Sequence, residues 1–331
     1  MDFGERPPGE AQGAILAHSL SVGGRRLRKG QVVDAEAVAL LEAGGVQSVT
    51  VARIGLGDVA ENDAATRLAG AVVPDPTSAC VTVSPAFTGR VNINAAVAGL
   101  ADFDPSLIHA LNRIDPTITL ATLPRLTRVT PGMLLGTVKI ISYAVEDAKL
   151  AAAEAVKARL SVRPVILSSA GLVMTEVPGQ KPSLNAKGEA AIAARLHALG
   201  MELADVQTVP HRVAPLAEAI TQVEGDMVLI LTGSATSDAR DTAPEAIRAA
   251  SGEVTRFGMP VDPGNLLVLG RLPERPVIGL PGCARSPALN GADWVLERLA
   301  CGLAVSDDDI AAMGVGGLLK EIPIRPQPRE P

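Results

Sequence analysis

The alternation of apolar and polar segments predicts a regular second half of the chain. From about Arg163 onward, short apolar runs alternate with segments of helical periodicity. Strands separated by single helices indicate a mostly parallel sheet with helices on both faces, so the predicted fold class is α/β, a three-layer doubly wound sheet. The strands are predicted at residues 165–167, 204–209, 227–231, 254–257, 266–270 and 277–280, and the helices at 185–199, 215–223, 242–250 and 287–300.

The first half has a mixed pattern. A helix capped by Asp34 and ended by Gly44-Gly45 precedes a strand at 46–51. Further helices are predicted at 58–70, 104–114 and 146–160, and strands at 117–123 and 134–143. We therefore predict three segments: an N-terminal mixed α+β accessory domain at 1–160, an α/β domain at 161–305, and a Pro-containing tail or linker at 306–331.

Composition narrows the class of protein. A chain of 331 residues, 47% of them hydrophobic, can bury two domain cores. One Trp, one Tyr and a net charge of −6 argue against a nucleic-acid surface. Cys80, Cys283 and Cys301 form no CxxC, which argues against a disulfide framework or zinc site and fits a reducing cytoplasm. No signal sequence or bilayer-spanning apolar stretch is evident, so we expect a cytoplasmic protein with no membrane partner.

One loop stands out for its small polar residues. The sequence LTGSATSDARDTAPEA covers residues 231–246 and follows an apolar strand. Thr242 and Glu245 have the spacing of a capping box, which predicts a helix that begins at Thr242. In doubly wound sheets, ligands bind beyond the carboxyl ends of strands, where helix N-termini present free N–H groups. Gly233–Ser237 would let backbone amides approach a phosphate, with Asp241 at the rim.

Two further loops carry similar signals. Pro281-Gly282 ends a strand, and Ser286 followed by proline predicts another helix start, with Arg285 placed to bind a phosphate. Asn185 is the predicted N-cap of the Ala-rich helix. The three loops together predict an anion pocket at one edge of the sheet. The alternative is that each residue has an ordinary role, Asp241 as a first-turn carboxylate and Arg285 as a solvated surface residue.

These motifs resemble a known family. Three stretches are similar to the molybdopterin-binding domain shared by Mog-type adenylyltransferases, MoeA-type molybdate insertases and gephyrin. They are LTGSATSDARDTAPEAI, FGMPVDPGNLLVLGRL and PVIGLPGCARSPALNGADWVL. The resemblance covers roughly residues 161–303. The order of the two predicted domains resembles most closely a bacterial group in which an accessory module and a degenerate molybdopterin-binding domain precede a molybdenum-cofactor nucleotidyltransferase domain. The matching positions are Asn185, Gly233, Asp241, Pro244, Glu245, Pro263, Gly264, Pro281, Gly282 and Ser286.

The chain departs from the family pattern at several places. Ala235-Thr236 follow Gly233-Ser234 where the family has paired glycines, and Cys283 replaces an asparagine. The basic residues of a Lys-Pro-Gly-Lys turn are replaced by Asp262 and Asn265. Pro210-His211-Arg212 stands where a carboxylate pair is usual, and the loss of that pair removes a magnesium ligand, which argues against adenylyl transfer. Binding through backbone amides does not depend on these side chains.

The resemblance implies a ligand and a set of site residues. The implied ligand is molybdopterin, or its nucleotide-linked form, held by its terminal phosphate. The implied binding residues are Asn185, Gly233, Ser234, Ala235, Thr236, Ser237, Thr242, Pro281, Gly282, Arg285 and Ser286. Asp241 would be the catalytic residue and orient a hydroxyl, a water or a metal ion, for which Mg²⁺ is the candidate; no metal ligands are identified.

Three functions remain open at this point. As an enzyme, the chain would be a transferase for molybdate insertion or nucleotidyl transfer. As a non-catalytic carrier, it would present the cofactor to a nucleotidyltransferase or a molybdoenzyme. The third option is a site for another phosphorylated metabolite. Family members often form dimers or trimers, so a homo-oligomer is expected.

Three other features have two readings each. His211 is expected to be a partly exposed polar residue rather than a ligand or base. Cys283 is expected to fill space in a loop, although a nearby helix N-terminus could lower its pKa. The basic stretch from Gly24 to Gly30 could bind a pyrophosphate, but a charged stretch of this kind is more typical of a solvated hairpin.

Overall fold

The chain folds into two compact units. The computed structural model describes residues 1–181 and 183–320. The first unit comprises Met1–Val97 and Ala101–Arg163, and the second comprises Ala98–Leu100 and the chain from Pro164 onward.

The region up to residue 164 is rich in short strands. The strands are β1 (Asp2–Arg6), β2 (Ile15–Leu16), β3 (Leu20–Val22), β4 (Arg25–Leu27), β5 (Val49–Arg53), β6 (Asp58–Ala60), β7 (Val81–Val83), β8 (Arg90–Ala95), β9 (Gly99–Asp102), β10 (Ile118–Thr122), β11 (Arg128–Val129), β12 (Leu134–Ile140), β13 (Ala144–Glu146) and β14 (Ser161–Pro164). The helices are α1 (Ala35–Ala43), α2 (Glu61–Val72), α3 (Pro105–Asn112) and α4 (Asp147–Ala155).

Two hydrophobic cores stabilise the first unit. A small core within residues 11–51 lies between the sheet β1-β5-β2 and helix α1, which contributes the buried Leu41. A larger core joins α2 to the antiparallel sheet β10-β12-β8-β7, with Leu68 of α2 packed among residues such as Ile93 and Val138. The apolar positions of α2 recur at helical spacing, which is why one face of the helix is buried.

Several local predictions for this unit agree with the structure. The Asp34 side chain accepts a hydrogen bond from Ala37 N at 2.8 Å and caps α1, and Gly44 follows its last residue. The basic stretch from Gly24 to Gly30 includes strand β4 of a hairpin with β3. The helix predicted at 146–160 ends earlier, at Ala155, because the chain then turns through Lys157, whose φ is +57°, into strand β14.

The second unit is built on a six-stranded sheet. Its strands are β15 (Ser169–Glu176), β16 (Glu202–Pro210), β17 (Met227–Leu231), β18 (Glu253–Phe257), β19 (Val268–Arg271) and β20 (Pro276–Leu280). They lie in the order β16-β15-β17-β20-β19-β18. The first four are parallel to one another, and β19 and β18 are antiparallel additions. A mixed α/β unit with a mostly parallel sheet is therefore confirmed.

Helices connect these strands and form two separate cores. The helices are α5 (Ser183–His197), α6 (Val213–Gln222), α7 (Thr242–Ala249), α8 (Gly291–Ala300) and α9 (Asp307–Ala312). Residues of α5 and α8 pack with Leu229 of the central strand, whereas residues of α6 and α7 pack with its neighbours Val228 and Ile230. Successive side chains of a strand point to opposite faces, so β17 is buried on both.

The first predicted strand of this unit is misplaced. Residues 165–167 are not a strand, and Ile166 is 65% exposed. The strand is β15, whose interior is buried although it contains Ser169, Gly171 and Thr175. A Cβ at Gly171 would lie 2.3 Å from Glu224 O, so close backbone packing requires glycine here. Because glycine replaces an apolar side chain at this position, the sequence pattern does not indicate a strand.

The segment predicted as a tail is partly folded. Ser306 caps α9 in a capping box with Asp309, so the acidic run forms the first turn of a helix, where the helix dipole favours negative charge. Ile310 and Met313 are buried in the core that contains α5 and α8. Residues 306–319 are therefore not a linker. The Pro-spaced stretch at 322–331 lies outside the described residues.

Candidate functional site

The loops that follow the parallel strands meet at one edge of the sheet. Because β15, β16, β17 and β20 are parallel, their carboxyl ends lie on the same side. The residues that follow them include Val177, His211, Thr232 and Pro281. This edge is where ligands bind in open α/β sheets, and direct contacts connect the four loops to one another.

Gly233 packs against the end of β15. Its amide donates a hydrogen bond to the buried Thr175 Oγ1 at 2.9 Å. A Cβ at position 233 would lie 2.4 Å from Gln180 Oε1 and 2.7 Å from Thr175 O, so only glycine allows this approach. Thr175 Oγ1 also lies 2.8 Å from His211 Nδ1. One buried hydroxyl therefore joins the loops after β15, β16 and β17.

Asn185 has a different role from the predicted one. It lies inside α5, not at its N-cap, and only 7% of its surface is exposed. Its Nδ2 donates to Glu176 Oε1, and its Oδ1 accepts from Gln180 Nε2, both at 2.8 Å. The side chain therefore satisfies buried polar groups of the turn after β15. This bonding places it beside the loop of Gly233 but occupies the groups that could bind a ligand.

Helix α7 begins at Thr242 as predicted, but its N-cap is Asp241. The two oxygens of Asp241 accept from Ser237 N at 2.9 Å and from Thr242 N at 2.6 Å. Burial acts to raise the pKa of Asp241, but the two amide hydrogen bonds and the nearby His211 outweigh burial and hold this pKa below its ordinary value. Asp241 thus ties the loop to the helix, while Ser234, Ala235 and Ser237 are exposed and Thr236 is buried.

We expect Asp241→Asn to destabilise the second unit by about 1 kcal/mol near neutral pH, because one oxygen that accepts an amide proton becomes an NH₂ donor. Asp238→Asn is the matched control, since Asp238 is exposed and bonds only within the loop, to Arg240. Chemical unfolding followed by Trp294 fluorescence measures both variants. Equal stabilities would contradict the capping role.

The Asp241 contribution is expected to depend on pH. Because the folded-state pKa is lowered, the stabilisation is fully present above the unfolded pKa of about 3.9 and is lost as pH falls from there through the folded value. The difference in unfolding free energy between the wild type and Asp241→Asn should therefore narrow below about pH 4. A difference that stays constant down to pH 3 would contradict the assignment.

Arg285 joins the loop after β20 to the loop after β17. Its Nη2 donates to Thr232 O at 2.7 Å, and burial lowers the pKa of its guanidinium. Its Nε is buried without a hydrogen-bond partner among the described residues. A Cβ at Gly188 would lie 3.5 Å from Arg285 Cγ, so the side chain lies close to α5. Arg285 is therefore not a solvated surface residue, and it retains an unused donor.

The start of α8 differs from the prediction. Asn290 is the N-cap, in a capping box with Asp293, and the helix begins at Gly291. Pro281 precedes a short 3-10 helix, Gly282–Arg285, which Ser286 ends. Ser286-Pro287 is therefore part of a loop, because the reciprocal Asn290–Asp293 hydrogen bonds form the stronger helix start.

A residue that the sequence analysis did not single out holds this loop. The Arg195 guanidinium donates to Ala284 O, Ser286 O and Ala288 O at 2.9, 2.7 and 3.0 Å. Its Nε donates to Asp293 Oδ1 at 2.6 Å. A sequence signal exists: Arg195 interrupts the buried stripe formed by Ile192, Leu196 and Leu199 of an Ala-rich segment. Thr175 gave no such signal, because its partners, His211 and Gly233, lie in the loops after two other strands.

Cys283 is not activated by its position. It is exposed at the 3-10 helix, and partial desolvation raises the pKa of its thiol above the ordinary value. The suggestion that a helix N-terminus lowers this pKa is therefore wrong: Cys283 lies within a single 3-10 turn, Gly282–Arg285, and burial outweighs the nearby positive charges.

We expect Cys283 to react with iodoacetamide at pH 7.5 more slowly than free cysteine, because less of the thiol is ionised. Mass spectrometry of the alkylated peptide gives the rate, and the Cys283→Ser variant assigns it. A rate above that of free cysteine would contradict the raised pKa.

Two cavities lie at this edge of the sheet. One of about 420 Å³ is lined by Gly233, Gln180, Lys181 and Lys187. The other, of about 510 Å³, is lined by Glu176, His211 and Arg212 among others. Both are large enough for part of a small ligand, and the exposed lysines give the first cavity a positive charge.

The described residues form no preassembled magnesium site. Within 1–181 and 183–320, no group of three His, Cys, Asp or Glu side chains is placed to hold a metal. Both oxygens of Asp241 already accept backbone amides. The expectation of Mg²⁺ has no support. In the same part of the chain, no helix has the length and apolarity needed to span a membrane.

The sheet and its joined loops define an α/β domain whose loops meet at the carboxyl ends of the parallel strands. Residues 183–300, from α5 through α8, match the family described as a probable molybdopterin binding domain. This match confirms the resemblance of the segment to domains of the Mog and MoeA type. Residues 6–53, which include the small N-terminal core, match a family described as a domain of unknown function.

Among solved structures, the chain is similar to the molybdopterin biosynthesis MoeA protein from Pyrococcus horikosii, with 16% sequence identity over 91% of this chain and 76% of that chain. The TM-score of this match is 0.30. No curated protein matches the chain.

Proposed function

We propose that residues 161–305 form a three-layer doubly wound domain of molybdenum cofactor biosynthesis. It binds molybdopterin, or its nucleotide-linked form, by the terminal phosphate at the edge where the loops after β15, β17 and β20 meet. The observation that carries this proposal is Arg285, whose buried Nε has no hydrogen-bond partner among the described residues although its Nη2 joins two of these loops. A phosphate would supply the missing acceptor.

The residues of the proposed site have distinct tasks. The backbone of Ser234–Thr236 would provide amides, and the start of α7 the positive end of the helix dipole, whereas the amides of Ser237 and Thr242 are used by Asp241. Thr242 and Asp241 fix the position of that helix start. Lys181 and Lys187 add positive charge beside Gly233, where the 420 Å³ cavity would take the pterin. In this proposal Asn185 and Ser286 support the loops and do not contact the ligand directly, because Asn185 bonds to Glu176 and Gln180 and Ser286 O accepts from Arg195.

Two activities are compatible with such a site. As a transferase, the domain would act in molybdate insertion or nucleotidyl transfer to the pterin phosphate, with Asp241 orienting a hydroxyl or water. The alternative is a carrier that presents the cofactor to a nucleotidyltransferase or molybdoenzyme. Both Asp241 oxygens accept hydrogen bonds from backbone amides and thereby hold the loop on helix α7. This structural use of the carboxylate favours the carrier over a catalytic role for Asp241.

Anaerobic titration of the full chain with molybdopterin tests binding. We expect saturable binding that pyrophosphate weakens, and we expect Gly282→Ala to weaken it roughly tenfold or more because the ligand phosphate approaches this backbone. In the unliganded protein the new Cβ would meet only Arg285 Nη1, at 3.7 Å, so stability should not change. Gly70→Ala in the first unit is the control, because nothing lies within 4 Å of its Cβ position. Unchanged affinity in Gly282→Ala would contradict the proposed phosphate position.

Incubation of the loaded protein with molybdate, ATP or CTP separates the two activities. Turnover that is lost in Asp241→Asn supports the transferase, and tight binding without turnover supports the carrier. Simple nucleotides that bind as tightly as molybdopterin would instead indicate another phosphorylated metabolite. We further propose a cytoplasmic location, because no disulfide joins Cys80, Cys283 and Cys301. We also propose a homo-oligomer, because members of the family that the chain resembles often form dimers or trimers; light scattering of the purified chain measures the oligomeric state.

A further inference from the structure

A second cavity of ligand size lies in the first unit. It has a volume of about 440 Å³ and is lined by residues that include Phe3, Lys29, Glu61, Lys139, Ile141 and Tyr143. Its volume is in the range of small-molecule sites. Lys29 belongs to the basic stretch from Gly24 to Gly30, to which the proposed function gives no role. The cavity does not involve the second unit.

Glu61 is the group of this cavity that most needs a partner. Its side chain is half-buried, and among the residues that the structure describes it forms no hydrogen bond and no ion pair. Desolvation raises the pKa of Glu61, against the effect of Lys139 and Lys29. A partly desolvated carboxylate is stabilised by ligand N–H donors.

The surroundings hold Glu61 in place. Its backbone N donates to Tyr143 O at 2.9 Å, and Tyr143 Oη donates to Ala17 O at 3.3 Å. A Cβ at Gly89 would lie 2.9 Å from Glu61 Oε2, so the turn at Gly89 packs directly on the carboxylate. Lys139 Nζ donates to Thr88 O of the same turn. The turn at Gly89 therefore covers one side of the Glu61 carboxylate, and the backbone of Glu61 is held by Tyr143.

The mouth of the cavity is apolar. Phe3 and Ile141 are 54% and 60% exposed, which is unusual for side chains of this size. Strand β1, which carries Phe3, is held by its pairing with β5 and by an ion pair between the N-terminal amine and Asp58 Oδ2 at 2.7 Å. An exposed aromatic ring beside an aliphatic side chain offers surfaces against which a planar ligand can stack. Lys29, exposed at the same mouth, offers a cation.

We propose that this cavity binds a planar heteroaromatic ring that has two adjacent N–H donors on one edge and carries a phosphate. The 2-amino-4-oxo ring of guanine nucleotides and of phosphorylated pterins has this chemistry. Its N–H and NH₂ groups would donate to the two oxygens of Glu61, its faces would lie against Phe3 and Ile141, and its phosphate would lie near Lys29. The inference concerns the first unit alone and does not depend on the proposed function.

Calorimetric titration of the full chain with three probes tests the ligand class. Guanosine 5′-monophosphate and neopterin monophosphate both have the donor pair, whereas adenosine 5′-monophosphate presents an acceptor in place of one donor. We expect saturable binding of at least one of the first two and at least tenfold weaker binding of the adenine nucleotide, because a carboxylate rejects a facing acceptor. The tighter of the first two identifies the source. Equal binding of all three, or no binding, overturns the proposal.

Variants locate the binding. Glu61→Gln should bind the preferred probe roughly 10- to 100-fold more weakly, because a charged acceptor is lost. Asp63→Asn, an exposed carboxylate of the same helical turn, is the matched control and should bind normally. Lys29→Gln should weaken binding of the phosphorylated probe but not of guanosine. If Glu61→Gln does not fold, this comparison tests whether the ligand occupies the cavity of the first unit. Weakening by Gly282→Ala with normal binding by Glu61→Gln would place the ligand in the second unit and overturn the proposal.

Discussion

Arg195→Met is expected to lower the free energy of unfolding of the second unit by about 3–5 kcal/mol, because it leaves a buried carboxylate without its cation. The side chains of Arg195 and Asp293 are only 10% and 11% exposed, and their charged atoms lie 2.6 Å apart. The same substitution removes the donors to three carbonyl oxygens of the loop that contains Arg285 and Ser286. We therefore also expect molybdopterin binding to be lost.

The single tryptophan makes this measurement specific. Trp294 lies in α8, next to Asp293, and packs against the core of the second unit. Its fluorescence during denaturant unfolding therefore reports on this unit. Arg248→Met is the matched control: Arg248 pairs with Glu245 at the surface, and an exposed pair of this kind contributes about 1 kcal/mol or less.

A double-mutant cycle separates the charge from the loop contacts. Asp293→Asn added to Arg195→Met should restore part of the stability, because no uncompensated carboxylate remains buried. Binding should stay lost, because the loop carbonyls still have no donor. Full stability in Arg195→Met alone would contradict the role assigned to this guanidinium.

The second large effect is expected at Gly225, where Gly225→Ala should cost about 3–6 kcal/mol. The residue has a φ of +131°, which L side chains rarely adopt. A Cβ there would also lie 2.5 Å from Gly171 N and 2.7 Å from Ala170 C. Strain and overlap therefore act together at the point where the chain enters the central strand β17.

Three other alanine variants separate the two causes. Gly200→Ala has a φ of +75° and no atom within 4 Å of its Cβ, so it measures the conformational cost alone, about 1–2 kcal/mol. Gly171→Ala has no positive φ but places its Cβ 2.3 Å from Glu224 O, so it measures overlap alone. Gly282→Ala has neither problem and should match the wild type. Trp294 fluorescence measures all four, and a Gly225→Ala variant as stable as Gly200→Ala would show that the chain relaxes around the new atom.

The elements that could be predicted are those in which the residue types themselves indicate burial. Met227–Leu231 are all buried and uninterrupted, so the central strand was placed correctly. Strand β15 was missed because contacts with distant residues require its small and polar residues. Gly171 leaves room for the chain at Gly225, and Thr175 bonds to Gly233 and His211. Such pairs are far apart in sequence, and no local pattern reveals them.

Helix starts show the same limit in more detail. Thr242 and Asp241 are both good caps, as are Ser286 and Asn290. The choice between them is made by the fold: Ser237 N binds Asp241, and Arg195 holds the carbonyl of Ser286 in a loop. Asn185 illustrates the converse, since a residue typical of a cap is used to satisfy Glu176 and Gln180.

The loop after β20 is held through its peptide oxygens, and this has a consequence for variation. Because Arg195 contacts main-chain atoms of Ala284, Ser286 and Ala288, any residue at those positions offers the same acceptors. The exposed side chains of the loop, such as Cys283 and Leu289, can therefore be exchanged without remodelling the backbone beneath them. A library randomised at these two positions would alter ligand preference on a constant scaffold, which makes this loop the natural place to engineer selectivity.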